Sequence, residues 1–211
     1  MMMNPWDGKT ASFLRAITNV IILNFLWVIG SMPLFTIGPS TAAMYGVIRK
    51  WHLHQEHSVI RCYINEYRLH LKQGFVVGTP WILFGGILLV DVYYFLQISS
   101  SLKAFFIAIT VVVFILYLIT SGVFFPVLVH YQAKGFTLIK QAFTYSLVDP
   151  KTSFAIFLMW TGVAVTMYYA PLALFVIVVP VSMITFRFAL QMFKTVEKVP
   201  RVREEYLPVG K

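Results

Sequence analysis

The sequence predicts an all-α, polytopic membrane protein with five transmembrane helices, as a single domain over 1–211. Three observations carry this. Of its 211 residues, 59% are hydrophobic and only 12% are charged, where a soluble domain carries about a quarter charged residues. Five apolar segments are long enough to cross a bilayer. The basic residues then alternate between loops as membrane topology demands.

The expected spans are about 16–37, 75–97, 104–130, 152–169 and 171–193. A crossing takes about 20 helical residues, with about 17 as the lower limit. The last two spans share one apolar run, and at ~1.5 Å per residue this run is too long for one upright crossing and suits two. Tyr168-Tyr169-Ala170-Pro171 supplies the break, with aromatics suited to the interface and a proline suited to open a helix. One steeply tilted last helix is the alternative. Lys9 and Arg15 precede the first apolar stretch, but no clean small-residue cleavage site follows, so the stretch reads as a retained helix rather than a signal peptide.

With these spans, fourteen Lys and Arg residues fall on one side and three (Lys9, Arg15 and Lys103) on the other. That split places the N-terminus outside and the C-terminus, with a short tail at 198–211, in the cytoplasm. It also accounts for the formal charge of +9 without nucleic acid. The outer loops, near 97–103 and 168–171, leave little surface for an external ligand. The single cysteine, Cys62, excludes an internal disulfide framework.

The cytoplasmic loops are patterned. In HSVIRCYINEYRLHLKQ, Ile60, Ile64, Tyr67 and Leu71 recur at helical spacing, with Arg61, Asn65, Arg68 and Lys72 one step round. This predicts an amphipathic helix with a basic flank, suited to an anionic leaflet or to a docking partner. In FTLIKQAFTYSLVDP, Ile139, Ala142, Phe143, Ser146 and Leu147 form a second stripe. A loose repeat follows, of amphipathic helix, span, short outer turn and span, at 58–130 and 136–193. Its two halves have the same orientation, unlike the inverted repeats of many secondary transporters. Pro33, Pro126 and Pro180 are expected to kink the three spans that run inward.

Residues 36–51, TIGPSTAAMYGVIRKW, predict an elbow. Pro33 kinks the end of the first span, Gly38 gives flexible backbone, and Pro39 opens a short helix. Ala42, Ala43 and Gly46 allow close helix approach, and Arg49, Lys50 and Trp51 fix the segment at the headgroups.

At this block the chain resembles the YesL-like family of bacterial membrane proteins, a domain of unknown function. The resemblance runs through MNPWD, TNVIILNFLWVIGSMPLFTIGPSTAAMYGVIRKW, LKQGFVVG, GVFFPVLVHY, VDPKTS and RFALQMFKTVEK, and so covers essentially the whole chain. It implies about five spans in the plasma membrane of a Gram-positive-type bacterium. The family's association with carbohydrate ABC importers and polysaccharide-degrading enzymes implies an accessory role in sugar uptake. It supplies no catalytic residues. Thr41-Ala42-Ala43-Met44-Tyr45-Gly46 faintly resembles the coupling loop of importer permeases, but the acidic residue is missing and the glycine comes one position early.

Few residues invite chemistry. Asp91 is the one acid inside an expected span. It is read as hydrated near the outer interface or paired with Arg15 or Lys103, against a proton or solute site. Asn19 and Asn24, with Thr18, are read as interhelical hydrogen-bonding groups, against a polar path shared with Asp91. Arg187 is expected to snorkel to the headgroups. His52, His54, Glu56 and His57 match no strong metal motif, and no phosphate loop or nucleophile elbow occurs. The expectation is therefore a non-enzymatic protein without cofactor, metal or nucleic acid. It contacts membrane lipid and, through Arg49, Lys50, Trp51, Arg61, Arg68 and Lys72, the membrane subunits of a carbohydrate ABC importer. The alternative is an autonomous small-solute carrier using Asp91, Asn19 and Asn24. Oligomeric state is not legible.

Overall fold

The computed structural model describes residues 9–53, 58–97, 102–131 and 135–196, with backbone alone at 9 and 10. Eight α-helices run through them: α1 (Lys9–Ser31), α2 (Ile37–His52), α3 (Val59–Gln73), α4 (Thr79–Gln97), α5 (Lys103–Tyr131), α6 (Phe136–Val148), α7 (Pro150–Tyr169) and α8 (Leu174–Val196). There is no strand among the described residues. Five helical stretches are long and apolar enough to cross a membrane: Ala11–Ser31, Val59–Gln97, Lys103–Tyr131, Pro150–Tyr169 and Pro171–Val196.

The break between the last two spans lies where the tyrosines and proline place it. α7 stops at Tyr169, and Pro171 opens a 3-10 turn, Pro171–Ala173, that leads into α8. The start of α7 is equally local in origin. The Asp149 side chain accepts from the Thr152 backbone N–H at 3.3 Å and from its hydroxyl at 2.7 Å, with Pro150 at the first helical position. A carboxylate cap meets the free N–H groups and positive end of the helix. Pro126 and Pro180 lie inside α5 and α8.

Three expectations are corrected. Pro33 does not kink a helix from within. α1 has already ended at Ser31, and Pro33 sits in extended backbone, φ −74° and ψ 121°, before a 3-10 turn at Leu34–Thr36. Proline disfavours the α conformation in the residue before it, so Met32 closes the helix.

The elbow, expected to lie against the bundle, is enclosed within it. Gly38 to Ile48 of α2 are buried, Thr41 partly so, and α2 packs against α1, α3, α5 and α8. Small residues carry this burial, with Ala42 and Ala43 fully enclosed.

The expected loop helix and second span are one run. α3 continues into α4 through a π-helical turn, Gly74–Gly78, giving 39 residues. At ~1.5 Å per residue such a run is about 58 Å, nearly twice the hydrocarbon thickness. α3 holds the run's bases and its buried acid, so it is the half that leaves the hydrocarbon.

The core sits around α2. It gathers Val123 to Val129 of α5, Leu138 and Tyr145 of α6, and Phe186, Met192 and Phe193 of α8. Away from this core, α4, the first half of α5 and α7 expose apolar side chains such as Leu89, Val112, Leu158 and Val165. That surface is what acyl chains cover.

Candidate functional site

The densest polar chemistry lies where α3 crosses α2. Seen down its axis, α3 has two unlike sides. Val59, Cys62, Tyr63, Glu66 and His70 face inward and are buried. Ile60, Ile64 and Leu71 are exposed, with Arg61, Arg68 and Lys72 exposed beside them. The apolar stripe read from the sequence is therefore mainly the outer side, with Tyr67 partly covered at its edge. At the membrane surface an apolar stripe can lie on the leaflet without protein cover, while the side chains that need partners turn inward.

Glu66 is the centre of the inner side. It is 6% exposed. Its Oε1 lies 2.7 Å from Lys50 Nζ on α2, and its Oε2 lies 3.3 Å from His70 Nε2, one turn along α3. Gly46 of α2 makes the space for the carboxylate, since a Cβ there would stand 2.9 Å from Glu66 Cδ and Cγ. The hydrogen bond to Glu66 is the main cause that raises the Lys50 ammonium above the usual lysine range. A buried carboxylate is tolerated only when paired in this way.

A second network lies alongside. Ser40 Oγ donates to the Trp27 carbonyl at 2.9 Å, accepts from Ser31 Oγ at 2.9 Å, and lies 2.8 Å from Tyr63 Oη. Together these tie α1, α2 and α3 at one point. Arg49 donates to the Val129 carbonyl at 3.0 Å, which holds α2 to the end of α5.

The sequence candidates divide accordingly. Arg49 and Lys50 are engaged in contacts within the protein. Trp51 is half-buried and lines a small pocket of about 280 Å³ with His52 and Arg187. Arg61, Arg68 and Lys72 are exposed as expected. Asp91 on α4 is half-buried and has no ion-pair partner among the described residues, and Lys103 instead donates to the Leu96 carbonyl. Asn19 is half-buried on α1. Asn24 is fully buried, yet neither amide atom has a hydrogen-bond partner, so the expected interhelical bond is absent there. Thr18 bonds back to Leu14 within α1.

The structure does not gather these three polar residues. α1 packs mainly on α2, α3 and α8, whereas α4 packs mainly on α5. His54, Glu56 and His57 lie outside the described residues, as does the tail at 198–211. Among the described residues no group of three His, Cys, Asp or Glu side chains is placed to hold a metal ion.

Glu66 and His70 were missed from the sequence. Their i,i+4 spacing was the available signal, whereas the Lys50 contact is purely tertiary.

Residues 20–92, from the middle of α1 to near the end of α4, match the family model described as "Protein of unknown function, DUF624". The YesL-like resemblance read from the sequence therefore stands. The matched segment contains the whole α2–α3 junction. The chain is also 28% identical over 169 residues to the uncharacterized protein YesV of Bacillus subtilis (strain 168), covering 74% of this chain and 81% of that protein. No solved structure matches.

Proposed function

We propose that this is a non-enzymatic accessory protein of the bacterial plasma membrane, with its N-terminus outside and its C-terminus in the cytoplasm. In this reading it binds the membrane subunits of a carbohydrate ABC importer through the outer side of α3. The observation that carries the reading is the division of α3 into two sides. Its buried acid and histidine are consumed in holding α2, while Arg61, Arg68 and Lys72 are exposed beside exposed Ile60, Ile64 and Leu71. A basic and apolar strip at the membrane surface suits a partner that offers acidic groups next to an apolar patch. The importer as partner rests on the family resemblance.

The test is affinity purification in mild detergent followed by mass spectrometry. Stoichiometric importer subunits, lost when Arg61, Arg68 and Lys72 are all changed to Gln, would support the proposal. A homogeneous species without them would overturn it.

One observation favours a second reading, an autonomous small-solute carrier: the buried, unpartnered amide of Asn24. For a carrier that uses this residue with Asp91 and Asn19, Asp91→Asn abolishes flux in proteoliposomes while leaving expression intact. For an accessory protein the purified chain carries no flux to lose.

A further inference from the structure

A cavity of about 490 Å³ lies between α1, α5 and α7, over α2. Its walls are aromatic: Trp27, Phe114, Tyr117, Phe125, Phe157 and Trp160. The volume is more than three times that of an apolar cavity that holds benzene, about 150 Å³.

The two indoles and the Ser121 and Thr161 hydroxyls around it are already bonded within the protein. Trp27 Nε1 donates to Thr41 Oγ1 and Trp160 Nε1 to Thr185 Oγ1, both at 3.1 Å. Ser121 Oγ donates to the Tyr117 carbonyl at 2.7 Å, and Thr161 Oγ1 to the Phe157 carbonyl at 2.9 Å. A sugar, an amino acid or an ion entering here would give up its bonds to water and regain few. The lining therefore selects an apolar guest.

Shape and position narrow that guest. The α5 wall runs from Phe114 to Phe125, about 16 Å along a helix, so the cavity is a slot rather than a sphere. Thr161 and Ala164 are exposed at its edge. The same two helices also expose Val112, Ile115 and Leu116 of α5 and Leu158 and Val165 of α7. All of these belong to segments apolar enough to span, so in a bilayer the edge of the slot would face hydrocarbon. An extended alkyl chain is the molecule that this surface meets and the slot fits.

We propose that the slot is an intramembrane binding site for one acyl chain of a bilayer lipid. Trp27 and Trp160 in its walls supply the readout, because bromine atoms on an acyl chain quench indole fluorescence on contact. The full-length protein is purified in a steroid-based detergent, whose rigid body does not mimic an alkyl chain, and is titrated with phosphatidylglycerol carrying dibrominated stearoyl chains. The expected result is quenching that saturates at about one lipid per chain. Trp27→Phe with Trp160→Phe removes the saturable component, and Ala164→Phe, which narrows the slot from an exposed position, weakens it by roughly tenfold, equivalent to about 1.4 kcal/mol. Quenching that rises without saturation would overturn the proposal. So would a saturable component that survives loss of both tryptophans, which assigns it to another site. The wild-type curve and the double tryptophan variant decide the matter even if Ala164→Phe lowers the yield of folded protein.

Discussion

Glu66 is seated directly over Gly46, with its Cδ and Cγ each 2.9 Å from where a Cβ on that glycine would stand. A side chain at position 46 can be accommodated only if the carboxylate moves, and the carboxylate is held at both oxygens, by Lys50 and by His70. Gly46→Ala is therefore expected to destabilise the protein by about 1–3 kcal/mol, the usual range for overpacking. The check is the apparent Tm in detergent, where each kcal/mol corresponds to roughly 2–4 °C at this size. An unchanged Tm would mean that Glu66 swings aside freely and is not pinned.

The Lys50–Glu66 pair is asymmetric, because the Lys50 side chain is 30% exposed and that of Glu66 only 8%. Removing the acid leaves an ammonium that water can reach. Removing the lysine leaves a buried carboxylate facing His70 alone. Lys50→Met is thus expected to cost more than Glu66→Gln, and the double variant less than the sum, with a coupling of about 0.5–3 kcal/mol. A double-mutant cycle of apparent Tm values measures this. Additive losses would show that the pair contributes nothing.

The spans were legible because length and hydropathy alone decide them. The junction was not, and α2 explains why. TIGPSTAAMYGVIRKW is rich in small and polar residues and ends in bases, so on hydropathy it reads as interfacial. It is central because Gly38, Ala42, Ala43 and Gly46 let other helices come close, and hydropathy gives no credit for that. On α3 the apolar stripe was read as facing the leaflet or a partner, and it is exposed, but the stripe did not show that Glu66 on the opposite side is buried against Lys50 of α2. Asn24 was expected to find a partner across helices, and no sequence pattern tells which way its amide turns.

The ion pair also fixes a pH dependence. The folded state raises the Lys50 pKa above its ordinary value of 10.5, chiefly through the hydrogen bond to Glu66. A raised cation contributes stability that is fully present below the unfolded value and is lost as pH rises through the folded one. The Lys50 contribution should therefore be constant between about pH 6 and pH 9 and should fade only above about pH 10.5. Melting curves of wild type and Lys50→Met across that range test it: the gap between them should hold steady to about pH 9 and narrow in strong alkali. A gap that closes near neutrality would contradict the assignment.

The tightest constraint is backbone against backbone. The start of α2 lies on the π-helical turn between α3 and α4. A Cβ on Gly74 would stand 2.6 Å from Pro39 Cα, and one on Gly38 would stand 2.6 Å from the Thr79 backbone nitrogen. Thr79 Oγ1 locks the crossing by donating to the Phe35 carbonyl at 2.8 Å, with the Gly74 carbonyl as a longer alternative acceptor at 3.3 Å. A backbone cannot rotate out of the way as the Glu66 side chain could, so a methyl group here must separate the helices. Gly38→Ala and Gly74→Ala are expected to lower the yield of monodisperse protein and to reduce Tm by more than Gly46→Ala does, beyond about 3 kcal/mol. Gly86→Ala and Gly162→Ala are the matched controls, because a Cβ at either meets nothing within 4 Å. Both lie inside helices, where replacing glycine by alanine is worth about 0.5–1 kcal/mol in favour of the fold. Their Tm should hold or rise slightly. If Gly74→Ala were tolerated as well as Gly162→Ala, the close crossing of α2 on the π-helical turn would be refuted, and with it the central position of α2.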